Sequence, residues 1–461
     1  MVTSNAGLAS GERVTPRAWG AMATLCVAQV LEVLGVTVVI VALPAIGADL
    51  GLDDARLQLV VSLYAVLYGG LLVTAGRVAD LVDRRTVFAA GLAVTLAGAV
   101  LCATAGSGTL LLVGRAVQGL GGAIVTPAAL ALLTSTFPAG RARRVAVSAW
   151  TAAAAGGGAL GFVVGGLLVG SLGWRAVFWL LVPPAALVLA ALWWLIPSQP
   201  PSRGGRGLDL LGSATAVTGL VLLVGGAALV EDPAAGPVHP GLVVALGCLV
   251  LVGFLVVERR GRAPLIAWSE LTNRPFMTAN AAAFVNTATT SASGTLVALV
   301  ATRTLGLDPR ATGLVLLPFS LAVVAGSTTG GWWLRRRPTI GMAAGLATVA
   351  VAMLGLAAAT ATTSVAGLAV AVAVAGLGLS WTALTSTSAA TLALPADRQG
   401  VASGAVNTAA QIGTALGVAV LLALAAVVGV DGRATGYVVA FLAAAVLAGA
   451  SAAVLSRTPA T

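Results

Sequence analysis

The sequence has no lysine, a single histidine and three cysteines, and only 9% of its 461 residues are charged. The histidine, His239, lies in a loop rich in proline and glycine, which disfavours a histidine-based metal or catalytic site. Cys26, Cys102 and Cys248 all fall within apolar runs, so we expect packing residues rather than disulfide partners or metal ligands. Because clustered carboxylates and a cysteine nucleophile beside a base are also missing, we expect neither an enzyme nor a metal site.

With lysine absent, all 25 basic residues are arginines, and the formal net charge is +10. A basic chain can indicate a nucleic-acid partner. Here the arginines are spread over short loops between apolar runs, and they form no basic domain. We therefore expect no nucleic-acid partner.

Apolar residues, by contrast, are abundant: 59% of the residues are hydrophobic and the mean hydropathy is +1.02. A transmembrane helix needs about 20 apolar residues, and fourteen runs meet that criterion. The first run is long and has no clear cleavage site, so we interpret it as a retained helix rather than a signal peptide. The chain is thus predicted to be an all-α polytopic membrane protein. The predicted spans are approximately 18–44, 56–76, 86–106, 109–134, 144–170, 174–196, 208–230, 240–257, 276–302, 311–334, 338–360, 363–391, 398–429 and 434–455.

The distribution of arginine supports this count. Nineteen arginines lie in one set of alternate loops and tails and five in the opposite set, while the acids divide seven to seven. Because cytoplasmic loops carry the excess of basic residues, the pattern predicts that both termini are cytoplasmic.

Two ionisable residues remain inside the predicted spans, Glu32 in the first and Arg115 in the fourth. A carboxylate within a bilayer is costly unless it is paired, hydrated or protonated, so a functional role for Glu32 is the favoured interpretation. The alternatives are a position nearer the lipid headgroups, or an ion pair that only holds two helices together.

An internal repeat divides the chain into two halves. A shift of 257 residues places Gly119-Leu-Gly on Gly376-Leu-Gly and Phe137-Pro-Ala on Leu394-Pro-Ala. Such repeats are typical of transporters, and chance similarity is disfavoured because the match stays in phase to about Gly156. The predicted domains are an N-terminal six-helix half (1–197), cytoplasmic linkers with two extra helices (198–275), and a C-terminal six-helix half (276–461).

Three stretches carry recognisable motifs. The loop after span two reads GRVADLVDRR from Gly76, span four reads RAVQGLGG from Arg115, and span five has glycines at 157, 161 and 165. In this order they resemble the loop motif, the R-x-x-Q-G motif and the glycine-rich fifth-span motif of the major facilitator superfamily. LGVTVVIVALP in span one, WRAVF before span six and RQGVASG at span thirteen are similar to its fourteen-span drug:proton antiporter family. The resemblance covers nearly the whole chain.

The sequence also departs from that family. Gly35 stands where the family usually has aspartate, and Phe162 occupies the proline of the glycine-rich motif. The first change removes an expected proton carrier. Glu32 lies one turn before Gly35, and because residues i and i+3 share a helix face, we predict that Glu32 takes over the carboxylate role.

The resemblance implies two six-helix halves with pseudo-two-fold symmetry around a central cavity, two extra central helices, and alternating access. Glu32 and Arg115 are predicted to couple transport to protons. Gating is assigned to Gly76, Asp80, Arg84, Arg85, Gly157, Gly161 and Gly165. Lipid contact or interface anchoring is the alternative for the aromatic residues among the predicted substrate contacts, and a helix–helix hydrogen bond is the alternative for Asn286, Asn407 and Gln411. The predicted substrate contacts are Gln29, Tyr64, Tyr68, Gln118, Trp150, Asn286, Trp381, Asn407 and Gln411.

The resulting hypothesis is a monomeric efflux transporter of the inner or plasma membrane that exports lipophilic drugs or antibiotics in exchange for protons. Its partners would be the small molecule, protons and the lipid bilayer, and the proton gradient would replace any cofactor. One alternative is an uncoupled facilitator or uptake carrier of the same fold. A more remote one is a transport-dead sensor or a membrane enzyme.

Overall fold

A computed structural model describes residues 15–137, 140–198, 209–229, 239–260, 268–395, 398–429 and 433–457. Over these residues the regular structure is helical throughout, and fourteen segments are long and apolar enough to cross a membrane, which confirms the predicted count. A π-helical turn, Val300–Thr304, extends α11. The helices are α1 (Pro16–Leu50), α2 (Asp54–Leu81), α3 (Arg84–Ala103), α4 (Gly108–Thr136), α5 (Arg141–Leu172), α6 (Arg175–Trp179), α7 (Val182–Leu195), α8 (Leu210–Leu229), α9 (Pro240–Arg260), α10 (Trp268–Leu271), α11 (Arg274–Leu299), α12 (Pro309–Arg336), α13 (Pro338–Ala361), α14 (Val365–Leu392), α15 (Gln399–Val428) and α16 (Arg433–Arg457).

Local chemistry sets several helix ends. The side chains of Asp53 and Ser107 accept hydrogen bonds from backbone N–H groups in the first turns of α2 and α4, which are otherwise unsatisfied there. The sixth span is divided into α6 and α7, because Pro183 and Pro184 have no N–H to donate back to the preceding turn.

Contacts at both ends of the bundle fit the antiparallel order of the spans. On the side of the chain termini, Arg17 donates to the carbonyl of Leu195 at 3.2 Å. On the opposite side, Arg175 forms an ion pair with Asp49 at 2.7 Å. The ends of α1 thus mark the two faces of the bundle.

The internal repeat has a packing counterpart. A Cβ at Gly119 would lie 2.5 Å from the carbonyl oxygen of Tyr64, so α4 can approach α2 only through a glycine. In the second half, Gly376 meets the carbonyl of Phe319 in the same way, so α14 packs on α12 as α4 packs on α2. The repeated glycines therefore serve equivalent close contacts in the two halves.

The two halves meet along two seams. In the α2/α15 seam, the hydroxyl of Ser62 donates to the carbonyl of Ala415 at 3.1 Å. The α5/α12 seam runs from Gly158 beside Ser320 to Gly166 beside Pro309. Because these positions of α5 lie beyond its midpoint, the halves are packed together on the side opposite the termini.

The extra helices α8 and α9 lie outside the first of these seams. The hydroxyls of Thr74 and Ser213 are hydrogen-bonded between α2 and α8, and a Cβ at Gly70 would lie 2.7 Å from Val217. Leu220 of α8 also belongs to an apolar cluster with residues of α2 and α15. The pair is thus attached to α2, while the division of the chain at 198 and 275 stays a prediction.

Candidate functional site

A cavity of about 380 Å³ lies between the two halves. This volume falls in the range of roughly 300–1,000 Å³ that is usual for small-molecule sites. Its apolar wall includes Val33, Val36, Ile40, Val61, Phe162, Leu316, Phe319, Val372 and Leu379. Its polar wall consists of Gln29, Glu32, Thr37, Tyr64, Tyr68, Thr287, Thr290, Ser291, Ser293, Asn407, Gln411 and Thr414.

Glu32 supplies the one carboxylate among the described residues of the cavity wall. Its side chain is 7% exposed, and it accepts hydrogen bonds from the hydroxyls of Tyr64 and Thr95, both at 3.4 Å. A Cβ at Gly122 would lie 2.6 Å from one carboxylate oxygen, so the glycine of α4 makes room for the acid. Both hydrogen bonds are long, so the carboxylate is only weakly satisfied by the protein.

Arg115 is fully buried behind this wall rather than in it. Its Nε donates to the carbonyl of Val60 at 2.9 Å, and a terminal nitrogen donates to the amide oxygen of Gln118 at 2.8 Å. The guanidinium carbon lies 4.4 Å from the centre of the Tyr64 ring. Within the described structure Arg115 and Glu32 form no direct ion pair, because Tyr64 lies between the two groups.

Glu32 lines the cavity, whereas Gly35, one turn later in α1, does not. A Cβ at position 35 would lie 3.3 Å from the side chain of Leu181, and Gly35 is not part of the cavity wall. Glu32 instead lies between the cavity and α4.

Five of the nine predicted substrate residues line the cavity. Tyr64 and Tyr68 stack with ring centres 5.8 Å apart, and the hydroxyl of Tyr68 donates to Thr126 at 2.9 Å. The remaining three lie on α1 and α15. They are Gln29, Asn407 and Gln411.

The other four predicted substrate residues lie outside the cavity wall of the described structure. Gln118 binds Arg115, and Asn286 donates to the carbonyl of Leu379 at 3.0 Å between α11 and α14. Trp381 donates to Thr329 at 3.0 Å between α14 and α12. Trp150 packs against an apolar cluster of the N-terminal half.

The glycine stripe of α5 packs within one half rather than between the halves. A Cβ at Gly157 would lie 2.8 Å from the carbonyl of Val30, and one at Gly165 would lie 3.1 Å from the Cα of Val38. Gly161 meets Thr37 in the same way, so all three hold α5 against α1.

The loop motif after α2 is only partly described. A Cβ at Gly76 would make an ordinary contact of 3.7 Å with Pro127. Arg85 donates to the carbonyl of Trp193 at 3.0 Å and stacks on its ring, which caps the end of α7. Arg84 begins α3. The side chain of Asp80 lies outside the described residues.

Sequence reasoning missed the hydroxyl groups of the site. Thr95 touches Glu32, Thr126 touches Tyr68, and the stretch 287–293 of α11 contributes Thr287, Thr290, Ser291 and Ser293 to the cavity wall. The available signal was the run NTATTSAS, which is unusually rich in hydroxyls for an apolar span.

Comparison with known proteins identifies the family. The model of the Major Facilitator Superfamily matches residues 25–418 and 279–460. The chain belongs to the major facilitator superfamily. It is therefore a multi-pass membrane transporter, and its motifs and relatives place it in the drug-efflux branch to which the sequence pointed.

Two relatives and one solved structure illustrate the match. The puromycin resistance protein pur8 of Streptomyces alboniger is 34% identical over 414 residues, which cover 88% of this chain and 81% of the relative. The cephamycin export protein CmcT of Amycolatopsis lactamdurans is 34% identical over 418 residues, which cover 88% and 85%. The crystal structure of a peptide transporter in complex with sulfate shares the fold, with a TM-score of 0.72 at 16% identity over 95% of this chain and 93% of that one.

Proposed function

We propose that this superfamily member is a proton-coupled exporter of lipophilic small molecules, antibiotics among them, in the cell membrane with both termini cytoplasmic. The observation that carries the proposal is the position of Glu32 on the wall of the cavity between the halves. Two relatives named for puromycin resistance and cephamycin export support the class of substrate. The asymmetric distribution of arginine supports the orientation.

The environment of Glu32 explains how it could exchange a proton for a substrate. An ionised carboxylate in a membrane interior is costly unless it is paired or protonated. The hydrogen bonds from Tyr64 and Thr95, both 3.4 Å long, offset only part of this cost. A bound proton and a cationic group of a substrate would each satisfy the same carboxylate, so the two compete for it. This competition is what an exchange cycle requires.

The packing of the halves indicates which side of the membrane the cavity faces. They are in contact on the side opposite the termini, along the α5/α12 seam beside Gly166. With cytoplasmic termini, this arrangement faces the cytoplasm, where Glu32 would release its proton and bind the substrate. Rocking of the halves then exposes the site to the outside, where a proton displaces the substrate. Exchange of one proton for one singly charged cation moves no net charge across the membrane, so the pH gradient, rather than the membrane potential, drives this export.

Arg115 would act through Tyr64 rather than by pairing with the acid. Its guanidinium stacks on the Tyr64 ring at 4.4 Å, and the hydroxyl of that ring donates to Glu32. The buried guanidinium donates to the carbonyls of Val60 and Gly35 and to the amide oxygen of Gln118.

The test is the Glu32→Gln variant in everted vesicles, with puromycin as the probe and an imposed pH gradient. We expect pH-driven uptake into the vesicles to be lost, because the amide of glutamine can neither release a proton nor pair with the cationic group of the substrate. Asp308→Asn is the matched control, because the exposed carboxylate of Asp308 accepts from the N–H of Ala311 at the start of α12, and asparagine caps a helix equally well.

Two results would contradict the proposal in different ways. Unchanged pH-driven transport by Glu32→Gln would mean that another group carries the proton. Wild-type transport that ignores the gradient and a protonophore would replace the proposal with an uncoupled facilitator of the same fold.

A further inference from the structure

Most hydroxyl groups of the cavity wall donate their protons to other groups of the protein. Eight of the lining side chains carry a hydroxyl, and four of these lie on the stretch 287–293 of α11. In this wall Thr290 donates to the carbonyl of Asn286 at 2.6 Å, and Ser293 donates to the carbonyl of Thr290 at 2.7 Å. Thr287 donates to the carbonyl of Ala410 in α15. A carbonyl oxygen can only accept a hydrogen bond, so each of these hydroxyls must be the donor.

The N-terminal half of the wall follows the same rule. Thr37 donates to the carbonyl of Val33 at 3.2 Å, and Tyr64 and Tyr68 donate to other side chains of the protein. Such back-bonding is common for Ser and Thr in helices, and its consequence here is specific. The protons are engaged within the protein, so these hydroxyl groups can meet a ligand only as acceptors, and the oxygen of Tyr68 already accepts from the amide of Asn407.

Few donors are left for a ligand. Ser291 and Thr414 are hydrogen-bonded to each other at 3.1 Å, so the pair retains one proton. The other donors of the wall are the three amide side chains, Gln29, Asn407 and Gln411, and Asn407 is already hydrogen-bonded to Tyr68. Glu32 adds a charged acceptor, and no basic residue is present among the described residues of the wall.

We infer that the cavity selects its substrate by the hydrogens that the substrate donates: it binds lipophilic ammonium compounds that carry N–H groups in preference to quaternary ammonium compounds of similar shape. A primary or secondary ammonium group can donate to Glu32 and to hydroxyl oxygens of α11 at once. A quaternary group carries the same charge and donates nothing, so it leaves buried acceptors unsatisfied. The inference rests on the proposed function in taking this cavity as the substrate site.

The test compares two probes in binding to the purified protein at pH 7 without any gradient. One is a dansyl-alkylamine with a primary ammonium group, and the other is the same molecule trimethylated at that nitrogen. We expect the primary amine to bind at least about tenfold more tightly, which corresponds to the loss of one or two hydrogen bonds.

Two variants separate hydrogen bonding from the larger size of the trimethylated group. Thr290→Val removes one acceptor from the wall and keeps the shape of the side chain. It should weaken binding of the primary amine by about 3- to 10-fold and leave the quaternary compound unchanged. Thr289→Val is the matched control, because Thr289 makes the same bond to the carbonyl of Val285 at 2.9 Å and is not part of the wall. It should change neither affinity.

Equal binding of the two probes, or an equal loss of both in Thr290→Val, would overturn the inference. Binding of neither probe would also overturn it, even if puromycin transport by the wild type follows the pH gradient. Selective binding without pH-driven transport would uphold the inference and contradict only the proposed coupling. The two proposals therefore fail separately.

Discussion

Replacing Gly166 with alanine should weaken the α5/α12 seam without unfolding either half. A Cβ at this position would lie 2.7 Å from the carbonyl oxygen of Pro309 and 3.3 Å from the Cα of Arg310. Both neighbours are backbone atoms, so they cannot rotate out of the way as a flexible side chain would. The two helices must therefore separate at this point.

The magnitude follows from the cost of overpacking. An extra methyl group in a tightly packed site costs about 1–3 kcal/mol. At Gly166 this cost falls on the arrangement in which the seam is closed, because the methyl group is compressed only there. The higher helix propensity of alanine, worth up to about 1 kcal/mol, applies to both arrangements and cancels. The equilibrium should thus shift roughly 5- to 150-fold toward the arrangement that is open on this side.

Spin-label distance measurement can detect the shift. Labels at Leu172 and Thr362, which are exposed and belong to different halves, report the separation on the side opposite the termini. We expect a longer distance to gain population in Gly166→Ala. The matched control is Gly253→Ala in α9, where a Cβ would meet nothing within 4 Å.

A contrasting variant separates the seam from the interior of a half. A Cβ at Gly157 would lie 2.8 Å from the carbonyl of Val30, so Gly157→Ala should lower the melting temperature and leave the distance between the labels unchanged. If Gly166→Ala keeps the wild-type distance distribution, whatever its melting temperature, the cost does not fall on the closed seam and the prediction is refuted.

Two further predictions concern the N-terminal half. Tyr64→Phe keeps the ring that stacks on Arg115 and should melt within a few degrees of the wild type in thermal unfolding in detergent. Tyr64→Leu removes the ring and should lose about 1–3 kcal/mol of stability in the same assay. Equal stability of the two variants would contradict a role for the stacking. Arg175→Ala should lower the melting temperature only slightly in the same assay, because the guanidinium that joins Asp49 to the carbonyl of Ala105 is partly exposed and screened by solvent. An unchanged melting temperature would show that these contacts add nothing.

Much of the fold was predictable because apolar length and arginine placement are local properties of the sequence. Fourteen spans follow from hydropathy alone, since a helix must satisfy its backbone within the bilayer wherever its neighbours lie. The internal repeat could be recognised in the sequence for a similar reason. Gly119 and Gly376 each permit a backbone contact that no larger residue allows, so the close helix contact is visible in the sequence as a glycine.

The candidate site was predictable only in part. Glu32 stood out because an acid in an apolar run is costly, and the structure places it on the cavity wall. Arg115 was predicted to act together with Glu32, and the structure places Tyr64 between the two. The hydroxyls of α11 gave no comparable signal, because threonine and serine are tolerated in any membrane helix when they bond to their own backbone.

The sequence by itself determined that this chain spans a membrane fourteen times, which superfamily its motifs resemble and which acid is exceptional. These properties depend on composition and on spacing along one helix. Only the tertiary structure decided that Gly157, Gly161 and Gly165 hold α5 on α1 while Gly166 meets α12, and that the hydroxyls of α11 present acceptors to the cavity. Such properties depend on the rotation of each helix about its axis and on the atoms that it meets there. Neighbours from distant parts of the chain fix both.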